Sequence, residues 1–180
     1  MRLLIVTGLP ATGKSTLARQ LAARYRLPLL AKDIIKETLL DATSAVDAAR
    51  SRQLSDQSFN LLFTELHQLA AAGIDAVVEG NFRSGRHEAA LRALPPAARI
   101  AQVLCRVEET ERLRRIGARA GDPARHPGHG DAQAARDASN DDFLDLPGER
   151  LVFGSSGEGD RARPALFAQL DAWWQADGVR

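Results

Sequence analysis

Apolar residues fall along this 180-residue chain in short blocks, separated by stretches in which they recur at helical spacing. The blocks predict strands at about 2–7, 28–31, 75–79, 99–106 and 150–153. Between the first two, Leu17, Leu21 and Tyr25 mark one helical face, and Leu27-Pro28 ends it. Leu62, Leu66 and Leu69 predict the core face of a long helix ending near Gly73. A helix over 86–94 precedes Pro95-Pro96, another covers 108–119, and a last one covers 164–176. Alternating β and α segments of this length predict an α/β fold: a parallel sheet between two helical layers, joined by right-handed crossovers, in one domain over residues 1–180. Ligands of such sheets sit at the carboxyl ends of the strands, so the residues just past each strand carry the candidate chemistry.

The first strand end is the most specific. Gly8 to Thr16 read G-L-P-A-T-G-K-S-T, a complete G-x-x-x-x-G-K-[ST] phosphate loop between a strand and a helix. Its glycines let the backbone wrap an anion, and the N–H groups of Gly8, Ala11, Thr12 and Gly13 are expected to line that cradle at the positive end of the helix. Lys14 can reach the β- and γ-phosphates, the Ser15 hydroxyl suits a Mg²⁺ ligand, and Thr16 either meets the α-phosphate or is simply a first-turn helix residue. The loop predicts binding of a nucleoside triphosphate.

The second strand end carries Lys32-Asp33 and then Lys36. Asp33 is either a helix cap or the base that takes a proton from a substrate hydroxyl, and Lys36 either meets an anionic part of an acceptor or lies solvated on the surface. After the third strand, Glu79 can hold the water shell of a metal or compete with Asp33 as base; Asn81 and Arg83 are expected acceptor contacts. In the helix after the fourth strand, Arg112, Arg115 and Arg119 share one face. That face is either a solvated stripe paired with Glu108 and Glu111 or a set of guanidinium groups delivered to the transferring phosphoryl. The Gly-, Pro-, Arg- and His-rich stretch over 117–130 predicts a mobile lid, at about 108–145 as a whole. His126 is expected as a substrate contact or in the packing of the lid. His126, His129 and Asp131 suggest a metal, but no further His or Cys cluster completes a site. Ser155, past the fifth strand, is expected to border the nucleotide base, and Trp173-Trp174 to pack rather than stack on it.

Composition narrows the partners. A net charge of +1 argues against a sequence-independent grip on duplex nucleic acid, without excluding a local patch. Of the 24 basic residues only three are lysines, at 14, 32 and 36. The single Cys105 lies in an apolar run and is expected buried; no intrachain disulfide is possible. No stretch reaches the ~18 apolar residues of a membrane span, so a cytoplasmic protein is expected. Asp145-Leu-Pro-Gly148 mimics the D-x-x-G of a GTP switch, but no strand leads into it and no N-K-x-D is present.

The G-x-P-x-x-G-K-S-T spelling, Asp33 with a basic residue three later, and Arg115 and Arg119 in R-x-x-x-R resemble the P-loop kinases of the adenylate-kinase-like fold. The resemblance is nearest to the branch with polynucleotide kinase domains, chloramphenicol phosphotransferase, gluconate kinase and zeta-toxin-type sugar kinases. It implies a three-layer P-loop fold with a five-stranded sheet in the order 2-3-1-4-5. It also implies Asp33 as base, Lys14 with the lid arginines as phosphoryl clamp, and Mg²⁺-ATP as donor. Glu79-Gly80 departs from the Asp-centred third strand of polynucleotide kinases, which leaves the acceptor open. The expected activity is ATP-dependent phosphorylation of a hydroxyl on a small molecule. A 5′-polynucleotide or nucleoside kinase and a regulatory NTPase are the alternatives.

Overall fold

The computed structural model describes residues 1–43, 47–120, 126, 142–155 and 159–176. Its strands are β1 (Arg2–Thr7), β2 (Leu29–Ala31), β3 (Ala76–Glu79), β4 (Arg99–Arg106) and β5 (Glu149–Gly154). All pair in parallel, in the order β2-β3-β1-β4-β5. The helices are α1 (Lys14–Tyr25), α2 (Lys32–Asp41), α3 (Ala48–Ala71), α4 (Glu88–Arg92), α5 (Glu109–Ala120) and α6 (Gly159–Gln175).

β1 lies at the centre, and Leu3 to Val6 are wholly buried because both faces are covered. Leu3 and Ile5 join one core with Leu62, Leu66 and Phe59 of α3 and Leu91 of α4. Leu4 and Val6 turn the other way, onto Leu17 and Leu21 of α1 and Leu166 and Leu170 of α6. The period-2 alternation of a strand thereby holds the three layers together. At the edge, β5 buries Leu151 and Phe153 and leaves Val152 half exposed.

The helix ends follow local chemistry. α3 stops in a Schellman motif: the N–H of Ile74 donates to Leu69 O at 2.9 Å and that of Gly73 to Ala70 O at 3.0 Å. α4 is shorter than the predicted 86–94. Residues 84–86 form a turn, and the N–H of Arg83 donates to Nδ1 of His87, the residue ahead of the first helical turn. α6 begins before the predicted 164, with Pro164 inside the helix rather than at its start. Among the described residues, no helix is long and apolar enough to cross a membrane.

Two elements at the amino ends of the strands are structural. Trp174 stacks on Tyr25 at 4.6 Å and carries Arg2 at 4.1 Å, while Arg99 lies over Trp173, so the tryptophan pair packs as expected. Asp145 to Gly148 form the turn into β5. Gln102, wholly buried, donates to Leu144 O at 3.1 Å and accepts from Leu144 N at 2.9 Å. Gly148 has φ of 124°, and a Cβ there would lie 2.1 Å from Ile100 O. Gly148→Ala is therefore expected to destabilise the fold by on the order of 3 kcal/mol, read as a lowered urea midpoint with unchanged slope. The D-x-x-G resemblance is thus a backbone requirement of this turn, at the sheet end opposite the phosphate loop.

Candidate functional site

β1 delivers the loop into its curve because Gly8 can adopt φ of 141°. A Cβ at Gly8 would stand 2.3 Å from Cys105 O, so the loop runs in direct contact with the end of β4. Ala11 (φ 68°) and Gly13 (φ 84°) are both left-handed, which turns successive N–H groups to the inside of the curve. The Thr12 hydroxyl ties the loop to itself by donating to Leu9 O at 2.8 Å. α1 opens on Lys14, with Leu17 N donating to Gly13 O. Lys14 is buried, Ser15 half-buried and Thr16 exposed.

Glu79 ends β3 beside β1, where the register Val6↔Glu79 sets it next to the start of the loop. Its side chain is 2% exposed, and Oε1 lies 3.9 Å from Lys14 Nζ with no hydrogen-bond partner. Burial pushes the carboxyl above its usual range; Lys14 opposes this, Asp33 adds to it, and a hydrogen bond with the Ser15 hydroxyl opposes it again. A buried carboxylate oxygen with no donor, beside the Ser15 hydroxyl and an ammonium group, is the donor set that a hydrated divalent cation satisfies. The residues present fit Mg²⁺ with a polyphosphate.

α2 starts directly off β2. Its N-cap is Ala31, so Asp33 does not cap the helix but stands in its first turn. The Asp33 side chain is 43% exposed, at the mouth of the sheet, and pairs with Lys32 Nζ at 3.1 Å. Lys32 itself is buried, its ammonium 5.8 Å from the Phe59 ring centroid and its Cβ against Gly80. Lys36, one turn on, is buried as well and donates to Ser51 Oγ of α3 at 2.9 Å. Lys32 was not among the residues singled out from the sequence. The only signal was its i, i+4 spacing to Lys36 just past an apolar strand.

The three arginines that share a face of α5 stand in three environments. Arg112 is 1% exposed and forms a two-bond pair with Glu109, at 2.7 and 2.8 Å. Arg115 lies over the phosphate loop: Nη1 donates to Ser155 Oγ at 2.8 Å and to Ala11 O at 3.4 Å, and Nη2 to Ser155 O. Glu111, held down to about 2 by Arg114 and Arg115, fixes Arg115 from below through Nε at 2.8 Å. Arg119 is exposed. Ser155 continues β5 through a bond from its N–H to Arg106 O and meets both the loop and Arg115. Asn81 and Arg83 are half-buried past β3. His126 reaches the carboxyl end of α2, Nε2 to Asp41 Oδ1 at 2.9 Å. His129 and Asp131, and most of the stretch expected to form a lid, lie outside the described residues. Among the described residues, no group of three or more His, Cys, Asp or Glu side chains is arranged to hold a metal alone.

Behind Lys32, the Phe59, Phe63 and Phe82 rings pack around His87, whose ring stacks on Phe59 at 4.1 Å. Burial pushes His87 down to about 4, with the Arg86 charge acting in the same direction. The unfolded chain thus takes up this proton first, and stability is lost as pH falls from about 6.5 to about 4. His87→Asn keeps an acceptor for Arg83 N–H but does not titrate. It is expected to flatten the acid limb of urea-measured stability by on the order of 2–3 kcal/mol.

A family model described as "AAA domain" matches residues 3–143. A crystal structure of a candidate kinase from Chloroflexus aurantiacus superposes with a TM-score of 0.85 at 29% identity, covering 94% of this chain and 96% of that one. A sugar kinase from a Janibacter species is similar at a TM-score of 0.65 and 16% identity, over 95% of each chain. A gluconokinase from Sinorhizobium meliloti is similar at 0.60 and 14%, over 97% and 96%. The last two likenesses are of fold. No curated protein matches the sequence.

Proposed function

The chain belongs to the AAA domain family, with a P-loop kinase fold, and from that premise we propose that it is an ATP-dependent kinase whose acceptor is a hydroxyl of a small molecule. One observation carries the reading: a buried Lys14–Glu79 pair beside the Ser15 hydroxyl and a solvent-accessible Asp33 end neighbouring strands of one sheet. The first is suited to a polyphosphate and its metal, the second to a substrate that enters from solvent.

The loop N–H groups and Lys14 would hold the phosphates of ATP, and Ser15 with Glu79 would hold Mg²⁺. When bound, the cation supplies charge neutralisation at the β- and γ-oxygens. Lys14 adds a fixed ammonium in a water-poor pocket, where its field is strong. Asp33 orients the acceptor hydroxyl and accepts its proton as the new O–P bond forms and the bond from Pγ to the β-bridging oxygen breaks, releasing ADP. Glu79 is the poorer base for this step, because it is buried and faces Lys14 rather than solvent. Arg115 braces the loop through Ala11 O and Ser155, and Arg119, exposed on the same face, would add a second guanidinium group on the side of the transferring phosphoryl.

The test is an ADP-release assay with Mg²⁺-ATP across sugars, hydroxy acids, nucleosides and 5′-hydroxyl oligonucleotides. ADP formed only with an acceptor is the expected result. Steady hydrolysis indifferent to every acceptor would assign a regulatory NTPase instead.

A further inference from the structure

Lys32 opens α2 directly after β2, whose last residue, Ala31, is in register with Glu79 of β3. Its side chain is 7% exposed, and its ammonium group donates to Asp33 Oδ1 at 3.1 Å. Lysine is almost never buried to that degree without a partner, and here the partner is itself 43% exposed. The Phe59 ring, 5.8 Å from the ammonium, adds only a weak attraction. Desolvation of the cation is recovered in part at best, so stability gives a poor account of a lysine in this place.

Helix spacing does not account for the contact either. Residues i and i+1 of a helix do not face each other, so Lys32 must curl back from the first position of α2 to meet Asp33. Gly80 leaves the room for that path: a Cβ there would lie 3.3 Å from Lys32 Cβ and 3.4 Å from the Phe59 ring. Lys36, one turn on, directs its hydrogen bond to Ser51 Oγ instead. Beyond burial and Lys14, the Glu79 carboxyl responds to both members of the pair: Asp33 raises its affinity for a proton and Lys32 lowers it. Two carboxylates thus stand within electrostatic reach at the strand ends, with Lys14 beside one and Lys32 acting on both.

We propose that Lys32 is a positioning residue for the phosphoryl transfer: its buried ammonium fixes the Asp33 carboxylate from behind and offsets the repulsion between Asp33 and Glu79. The inference rests on the kinase reading, whose base it holds in place. Lys32 acts through Asp33 and not on the substrate. With Oδ1 held by the ammonium, the carboxylate keeps one orientation in which to take the hydroxyl proton while the acceptor oxygen bonds to Pγ and ADP leaves. A solvent-facing carboxylate without that hold would rotate among several orientations, and each unproductive one lowers the fraction of complexes ready to react. The cost of burying a lysine is thereby tied to turnover rather than to folding.

Steady-state kinetics on the full-length protein test this. ADP release from Mg²⁺-ATP is followed with ribose, gluconate, thymidine and a 5′-hydroxyl oligonucleotide, and the fastest of the four is carried forward. Lys32→Met keeps the volume and removes the charge. It is expected to lower kcat about 10²-fold, with the KM for ATP and for that acceptor nearly unchanged. Its melting temperature is expected to equal or exceed that of the unmodified protein. The same substitution made in Asp33→Asn is expected to cost no more than about twofold further, because residues that act as a unit do not add. Lys32→Arg returns a charge and donors and is expected to recover most of the loss; Lys32→Gln, which donates without charge, should fall between the two and gives a second neutral variant if Lys32→Met does not fold. An unchanged kcat in both neutral variants, an equal loss from Lys32→Met when Asp33 is already replaced, or a Lys32→Arg as slow as Lys32→Met overturns the assignment and leaves the kinase reading in place. No acceptor-dependent ADP release from the unmodified protein with any of the four would sink the kinase reading, and the assignment with it.

Discussion

Lys14→Ala is expected to lower the rate of ADP formation by about 10³-fold or more, with the fold intact by circular dichroism. The ammonium is buried and stands 3.9 Å from Glu79, so its field acts through protein rather than water. Removal takes away the one fixed cation that the phosphate loop itself supplies, and no other lysine adjoins the loop among the described residues. The stability cost is limited by Glu79. Burial already pushes that carboxyl upward and Lys14 is the leading influence holding it down, so without the ammonium it takes up a proton instead of remaining a buried, unpaired anion. Activity and stability therefore separate in this variant. A parallel fall in both would mean that Lys14 serves the core rather than the nucleotide.

Asp33→Asn is expected to reduce kcat by about 10²- to 10⁴-fold with little change in the affinity for ATP. The amide keeps the shape of the side chain and an oxygen that can accept from Lys32, so α2 stays in place. It cannot take the hydroxyl proton. Asp33 stands on α2, outside the loop between Gly8 and Thr16, and pairs with Lys32, which is why nucleotide binding, measured by titration, should persist. The corresponding change at Glu79 is expected to show the opposite split, a weakened dependence on Mg²⁺ rather than a lost base. A turnover number unaffected by Asp33→Asn, with loss confined to Glu79→Gln, would reverse the two assignments.

The sheet was legible because parallel strands buried on both faces read as unbroken apolar runs, and β1 is wholly buried from Leu3 to Val6. The phosphate loop was legible for a different reason: its spelling encodes backbone geometry, and Gly8 has no room for a Cβ. What escaped depended on partners distant in sequence. The shortening of α4 comes from a His87 ring that accepts a backbone N–H and packs on Phe59 of α3, which periodicity does not register. Arg112, Arg115 and Arg119 share helical spacing in the sequence, yet only the fold separates their surroundings, since Arg115 is placed by Ser155, 40 residues away. Lys32 escaped altogether. Its burial is created by the missing side chain of Gly80 and by the Phe59 ring, one from β3 and one from α3.

The close approach of Gly8 to the Cys105 carbonyl has a kinetic consequence. The curve of the loop is complete only when β4 has docked beside β1, a pairing that joins residues about a hundred positions apart. Distant pairings of this kind close late, because chain entropy is spent before the contact is made. A nascent chain that has emerged only as far as β3 thus has the motif without its rear wall. Nucleotide bound at this loop would therefore lock the finished molecule rather than guide it, by about 2.7 kcal/mol when present at a hundred times its dissociation constant.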